Sequence, residues 1–98
     1  MNKEVKQATE KLFEVISKLE TPEECAAFFD DVCTVRELQD MAQRLDAAIM
    51  LSRGSNYREI GEEIGLSTAT ISRVSRCLNF GSGGYRNAMA KLGVIKDE

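Results

Sequence analysis

The chain has 98 residues, enough for one domain whose core is adequate only if nearly every element contributes to it. Its 43% hydrophobic and 30% charged residues are ordinary for a globular protein and argue against disorder. Histidine, the commonest general base, is absent, and Cys25, Cys33 and Cys77 have no CxxC spacing. The sequence therefore predicts neither an enzyme nor a zinc site, and no metal cofactor is expected.

The net charge of −3 is unevenly distributed along the chain. Residues 1–52 carry six basic and eleven acidic side chains, a net charge of −5, whereas residues 53–91 carry six basic and three acidic, a net charge of +3. Attraction to phosphate depends on the local patch rather than on the charge of the whole molecule. The acidic total therefore does not exclude a nucleic-acid partner for the second half.

The N-terminal segment, MNKEVKQATEK, is charged and amphipathic. It contains no apolar run long enough for a signal peptide or a membrane span. Three cysteines, an odd number, are more typical of reduced thiols than of a disulfide framework. We therefore expect a cytoplasmic protein with no membrane partner.

Three capping signatures mark helix starts in the first two thirds of the chain. In Thr21-Pro-Glu-Glu24, Thr34-Val-Arg-Glu37 and Asn56-Tyr-Arg-Glu59, a side-chain acceptor is followed three residues later by Glu. This pattern satisfies backbone N–H groups that have no partner in the first helical turn. No stretch alternates apolar and polar residues long enough for a strand, so the sequence predicts an all-α fold.

The first three predicted helices cover residues 3–20, 22–32 and 35–53. The first has an apolar seam that steps by three and four residues and needs a partner, either the rest of its own chain or a second copy. The seam of the first helix comprises Val5, Ala8, Leu12, Val15 and Leu19, and the residues that the third helix is predicted to bury are Leu38, Met41, Leu45, Ala48, Ile49 and Leu51.

The segment from Tyr57 to Arg76, YREIGEEIGLSTATISRVSR, predicts a helix-turn-helix. Gly61 is expected where the two helices come closest, so that a Cβ would push them apart. Gly65 is expected at the turn, where the backbone needs a positive φ. Ser67 and Thr68 can cap the second helix. The predicted buried residues of this motif are Ile60, Ile64, Leu66, Ile71 and Val74.

The outward face of the second helix is suited to DNA. From Ser67 to Lys91 the sequence has no acidic residue, and small hydroxyl residues lie among the arginines. Such side chains fit base edges and phosphates. The alternative is that the same helix pair docks onto a protein. The predicted DNA-binding residues are Ser67 and Thr68 for phosphate, Ala69, Ser72, Arg73 and Arg76 for bases or backbone, and Tyr57 and Arg58 on the supporting helix.

A glycine-rich break follows the motif. The segment NFGSGGYRN interrupts the helical pattern, and a last short helix is predicted from Tyr85 to about Leu92. The final KDE is expected to fray.

From about Asp31 to Asn79 the chain resembles the tryptophan-repressor superfamily, in its YerC/YecD-type branch, most closely across VCTVRELQDMAQRLDAAIMLSRG and the helix-turn-helix. The resemblance implies an all-α, Trp-repressor-like helical bundle that forms an intertwined homodimer with two reading heads. It also implies a transcriptional regulator, a repressor that reads a pseudo-palindromic double-stranded operator. The expected organisation is a single domain, 1–98, with core and dimerisation helices in 1–53, the helix-turn-helix in 55–78, and the break and last helix in 79–98.

The resemblance further implies a pocket for a small amino-acid corepressor. Arg44 and Arg73 match the two arginines that enclose the indole of tryptophan, and Thr34 and Thr70 match two threonines of that pocket. A guanidinium can both stack on an aromatic ring and pair with a carboxylate.

Two residues depart from the family's pocket. Val74 replaces a glycine that lies against the indole, and Cys77 replaces a serine that helps to hold the amino group. The matching arginines favour an amino-acid ligand, while Val74 argues against tryptophan itself. The alternative for Arg44 is a solvated side chain, or one that forms a salt bridge with Asp40 or Asp31.

Overall fold

The computed structural model describes residues 2–95, which form six helices and no strand. The predicted all-α fold is therefore confirmed across this part of the chain. The predicted helix bounds agree closely with those observed, except that the first helix ends three residues early; residues 96–98, where fraying was predicted, lie outside the described part. The helices are α1 (Lys3–Ser17), α2 (Pro22–Val32), α3 (Val35–Ser52), α4 (Tyr57–Ile64), α5 (Thr68–Phe80) and α6 (Gly84–Leu92).

The predicted caps are present at the starts of α3 and α4. At α3, the hydroxyl of Thr34 accepts from the N–H of Glu37 at 3.0 Å, and the Glu37 carboxylate accepts from the N–H of Thr34 at 2.8 Å. Asn56 and Glu59 exchange the same pair of bonds at α4. These reciprocal bonds fix where each helix begins.

The α2 cap differs in one bond. Thr21 accepts from the N–H of Glu24 at 3.1 Å as predicted. The Glu24 carboxylate, however, accepts from the N–H of Glu20, one residue further back. The carboxylate still satisfies a backbone donor ahead of the helix, so the start of α2 is defined in the same way.

The chain divides into two compact units, residues 1–38 and 39–98. The core of the second unit is contributed by α3, α4, α5 and α6, which places the helix-turn-helix on a shared hydrophobic base. Its fully packed residues are Ala47, Ala48, Ile60, Ile71, Val74, Leu78 and Met89.

The predicted burial of α3 is only partly correct. Ala48 is buried, and so is Ala47, which was not predicted. Both are alanines, whose small side chains let neighbouring helices approach closely. The larger apolar side chains of this helix are less well covered. Leu38, Leu45, Ile49 and Leu51 are half-buried, and Met41 is exposed.

The first unit has no buried residue among residues 2–38. The seam of α1 is largely open, with Val5 and Val15 exposed at 49% and 41% and the neighbouring Phe13 at 61%. An apolar cavity of about 740 Å³ also opens in this unit. The single chain therefore leaves much of this apolar surface uncovered. Residues lining the cavity are Pro22, Cys25, Ala26, Ala27, Phe29, Asp30 and Leu38.

Candidate nucleic-acid interface

The turn of the helix-turn-helix is built on Gly65. Its backbone has φ +85° and ψ 21°, the left-handed conformation that was predicted, and its N–H donates to the carbonyl of Gly61 at 2.9 Å. A residue with a Cβ is strained in this conformation. Gly65 thus ends α4 and redirects the chain into α5 within three residues.

The expectation for Gly61 is wrong. A Cβ built at this position would lie 3.5 Å from the carbonyl oxygen of Leu66, an ordinary van der Waals contact. The neighbouring backbone at the turn is close enough to touch a methyl group but not to clash with it. The glycine is therefore not required by the approach of the two helices.

Helix α5 has one buried face and one exposed face. Ile71 is fully buried and Val74 is 2% exposed, so the aliphatic side lies in the core as predicted. The opposite side carries the predicted DNA-binding residues that belong to this helix, and all of them are exposed: Thr68, Ala69, Ser72, Arg73 and Arg76.

Arg73 and Arg76 have no partner within residues 2–95, where neither forms a hydrogen bond or an ion pair. Arg58, on α4, lies 4.0 Å from the carboxylate of Glu62, and both side chains are largely exposed. A surface pair of this kind contributes little and exchanges readily for another partner. Tyr57, the first residue of α4, is 38% exposed. The guanidinium groups of Arg58, Arg73 and Arg76 are thus available to an external anion.

The two helix N-termini differ in charge. Ser67 caps α5 with a neutral hydroxyl, which accepts from the N–H of Thr70 at 3.2 Å and donates to Thr70 Oγ1 at 3.0 Å. The first turn of α5 contains no acidic residue. At α4, the carboxylate of Glu59 lies against the N–H of Asn56. The partial positive charge of α5 therefore remains available to a phosphate, whereas that of α4 already faces a carboxylate.

Arg44 lies on the core-facing side of α3, one turn before Ala47 and Ala48. It is half-buried, and across residues 2–95 it forms no hydrogen bond or ion pair. Within the second unit, the expected salt bridge from Arg44 to Asp40 is therefore not present. None of its side-chain nitrogens is fully buried, so the guanidinium is accessible to solvent or to an external acceptor.

The other candidate ligand residues are divided between the two units. Thr70, Arg73 and Cys77 lie on α5, in the same unit as Arg44; Thr70 is half-buried and the other two are exposed. Thr34 lies in the first unit, where its hydroxyl caps α3. A separate cavity of about 580 Å³ in the second unit is lined by none of these residues.

One arginine of the positive segment has a role that the sequence did not reveal. Arg86, on α6, donates to the carbonyl of Leu78 and to the side chain of Asn79, at the end of α5. Basic residues beyond a helix C-terminus can bond its last carbonyls, but nothing in the sequence shows that α6 folds back to do so.

The model of the Trp repressor protein family matches residues 7–93. The chain belongs to the Trp repressor family. It is 51% identical to the Bacillus subtilis (strain 168) protein YerC, which is uncharacterised, over 83 residues that cover 85% of this chain and 80% of YerC.

Two solved structures have the same fold. A TrpR-like protein from Eubacterium eligens ATCC 27750 superposes with a TM-score of 0.88 and 43% identity, covering 98% of this chain and 100% of its own. A protein provisionally assigned as a Trp repressor, from Staphylococcus aureus, superposes with a TM-score of 0.85 and 44% identity, covering 93% of this chain and 91% of its own. The Trp-repressor-like helical fold predicted from the sequence is confirmed.

Membership of the Trp repressor family places the chain among regulatory DNA-binding proteins and not among enzymes. Within residues 2–95, every helix is too short or too polar to cross a membrane.

The structure shows where the side chain of Val74 lies. Its side chain belongs to the core of this protein and is almost completely enclosed.

Proposed function

We propose that this protein is a sequence-specific transcriptional repressor that binds double-stranded DNA as a homodimer. The observation that carries the proposal is the division of α5 into a core face and an exposed face with unpaired guanidinium groups. Ile71 and Val74 are buried, whereas Arg73 and Arg76 are exposed and have no partner within the described residues. A recognition helix needs this separation in order to enter the major groove with its polar side outward.

The proposed contacts follow the position of each side chain along α5. Ser67 and Thr68 are placed at the helix N-terminus for a phosphate, because the partial positive charge there is not neutralised. Ala69, Ser72 and Arg73 are placed for the major groove, where a methyl group, a hydroxyl and a guanidinium can each read base edges. The remaining proposed backbone contacts are Arg76 on α5 and Tyr57 and Arg58 on α4.

The proposed homodimer rests on the first unit. Its apolar side chains on α1 and the cavity of about 740 Å³ are open in the single chain. Monomeric proteins rarely expose large apolar patches. A second copy would cover it and would set two reading heads at a fixed spacing along the DNA. The same surface favours, as a second candidate function, a module that binds another protein and not a specific DNA sequence.

We also propose a small amino-acid effector that binds between Arg44 and Arg73. Arg44 supports this assignment, because its side chain is half-buried and has no partner within residues 2–95. The enclosed side chain of Val74 favours a ligand smaller than tryptophan. By bridging α3 and α5, such a ligand would bias the orientation of the recognition helix and so change the population that can bind DNA.

The test of DNA binding uses fluorescence anisotropy on a DNA site selected by the wild-type protein, measured over a range of salt concentrations. Arg76→Ala should weaken binding and reduce the slope of log K against log salt by about 0.9, the value for one lost phosphate contact. The control is Lys6→Ala, which removes one exposed positive charge from α1. It should leave both the affinity and the salt slope unchanged. Wild-type affinity in Ser72, Arg73 and Arg76 alanine variants would eliminate the proposed face.

The effector test adds each common amino acid separately to the same assay. An effector should change DNA affinity for the wild-type protein, and Arg44→Ala should abolish that response while leaving ligand-free affinity intact. Because the chain has no Trp, added tryptophan can also be followed by its own fluorescence. Absence of any response would leave a regulator that needs no ligand.

A further inference from the structure

The C-terminal turn of α5 is held by a side chain from the next helix. Arg86 Nε donates to the carbonyl oxygen of Leu78 at 3.1 Å, and Arg86 Nη2 donates to Asn79 Oδ1 at 3.1 Å. The carbonyl of Leu78 belongs to the last helical turn, where α-helical carbonyls have no amide partner of their own. A guanidinium placed there also neutralises the partial negative charge of the helix end.

The contact extends one turn further into α5. Asn79 Nδ2 donates to the carbonyl oxygen of Ser75 at 2.9 Å and lies 3.4 Å from Ser75 Oγ. Arg86 orients the Asn79 side chain through Oδ1, and Asn79 in turn bonds the backbone next to Arg76. A continuous set of hydrogen bonds therefore connects α6 to the part of α5 that carries the second proposed DNA-binding arginine.

Helix α6 is anchored in the core of the second unit. Met89, three residues after Arg86 on α6, is fully buried in the same core as Ile71 and Val74. Asn79 lies three residues beyond Arg76, on the same side of α5. With α6 fixed in the core, the guanidinium of Arg86 holds the end of α5 against it.

We propose that Arg86 is a positioning residue for DNA recognition: it fixes the C-terminal half of the recognition helix, and it does not itself contact a phosphate. This inference rests on the proposed function. It assigns different roles to arginines that look equivalent in the sequence. Arg73 and Arg76 are exposed and unpaired within the described residues, whereas both Arg86 bonds go to α5.

The two roles predict different salt dependence. Loss of a phosphate contact weakens binding to all DNA and lowers the salt slope, because fewer counterions are released. Loss of a positioning contact weakens binding to the selected site, leaves non-specific binding nearly unchanged, and leaves the slope as it was. A purely structural role would lower the melting temperature without changing the ratio of specific to non-specific affinity.

The experiment compares Arg86→Ala, Arg86→Lys and Arg76→Ala by anisotropy, on the selected site and on random-sequence DNA, well below the melting temperature of each variant. Arg86→Ala should lose about tenfold in affinity for the selected site with an unchanged salt slope, as expected for charged hydrogen bonds. Arg86→Lys should not restore the affinity, because an ammonium group lacks the spaced N–H donors with which a guanidinium reaches both the Leu78 carbonyl and the Asn79 side chain. Restoration by Lys, or a slope reduced as in Arg76→Ala, would show a phosphate contact and overturn the proposal.

Asn79→Ala provides a second variant in the same network. Its effect on affinity for the selected site should not add to that of Arg86→Ala, since both remove one connected set of bonds. In the free protein, Arg86→Ala should increase amide hydrogen exchange at Phe80 and Gly81 but not at Ile64 on α4. Unchanged exchange at Phe80 and Gly81 would refute the proposed restraint. If the wild-type protein selects no DNA, the proposed function fails; if it does and Arg86→Ala binds equally well, only the positioning role fails.

Discussion

At the scale of single residues, Gly61 and Gly81 differ in whether the structure has room for a Cβ atom. A Cβ at Gly81 would clash with the carbonyl oxygen of Cys77, which accepts the Gly81 N–H at 2.9 Å. The clash involves backbone and cannot be relieved by a side-chain rotation. At Gly61 the nearest atom is 3.5 Å away. The sequence predicted a clash at Gly61 and made no such prediction for Gly81, which lies in the glycine-rich break.

We predict that Gly81→Ala destabilises the protein by about 1–3 kcal/mol, because the end of α5 must shift to admit the methyl group. Gly61→Ala should be neutral or stabilise by up to about 1 kcal/mol, since Ala is the better helix former. Urea denaturation followed by circular dichroism, at one protein concentration for all variants, measures both changes. Equal stability of the two variants would contradict the interpretation of these contacts.

Glu37 makes one cap dependent on pH. Hydrogen bonds from the backbone and then the side chain of Thr34 hold the pKa of the Glu37 carboxyl below its ordinary value of 4.5. Because the folded-state pKa is lowered, the ionised cap stabilises the fold above the unfolded pKa. This stabilisation is lost as the pH falls through the folded pKa.

Glu37→Gln should therefore be less stable than the wild type at neutral pH, and the difference should shrink as the pH falls below the ordinary value of 4.5 and through the lowered pKa of Glu37. Gln keeps an acceptor for the cap but removes the charge. Glu10→Gln, which neutralises an exposed carboxylate of α1, is the control for net charge. Thermal unfolding at several pH values measures the difference, and a gap that grows on acidification would be inconsistent with a lowered pKa.

At the scale of the helices, the sequence predicted features that depend on residues within about one turn. The reciprocal bonds of Thr34 with Glu37 and of Asn56 with Glu59, and the positive φ of Gly65, are of this kind. The three-to-four residue spacing also predicted that Ile71 and Val74 are buried while Arg73 and Arg76 face outward.

The features that the sequence did not predict depend on how helices meet. The burial of α3 at Ala47, and the incomplete burial of its larger apolar residues, follow from which helices pack against it. Arg86 bonds α5 only because α6 folds back onto it. Spacing along one helix carries no information about either contact. The assignments of DNA-binding and ligand-binding residues stay predictions.

At the scale of the whole molecule, the unequal distribution of charge parallels the division of work that we propose. The acidic part, residues 1–52, includes the unit whose apolar surface is open, and the basic part, residues 53–91, contains the helix-turn-helix. A net negative charge discourages non-specific association with nucleic acid, while the local positive charge attracts phosphate. The protein would thus approach DNA through one surface.

We predict that the protein sediments as a dimer, at twice the 10.9 kDa of the single chain. The double change Leu12→Asp and Val15→Asp should convert it to a monomer, because charges on the seam of α1 cannot be desolvated without a partner. Lys11→Glu, an exposed polar position on the same helix, should leave the dimer intact. Sedimentation equilibrium distinguishes these states, and a wild-type monomer would remove the basis for two linked reading heads.

The most direct test of the account is an unbiased selection of bound fragments from sheared genomic DNA at moderate salt, with and without pooled amino acids. We predict that the wild-type protein enriches a small set of fragments sharing a pseudo-palindromic sequence, and that the Arg73→Ala, Arg76→Ala double variant enriches none. Fragments recovered by the wild type with no shared sequence, or the same set recovered by the double variant, would contradict sequence-specific recognition by the exposed face of α5.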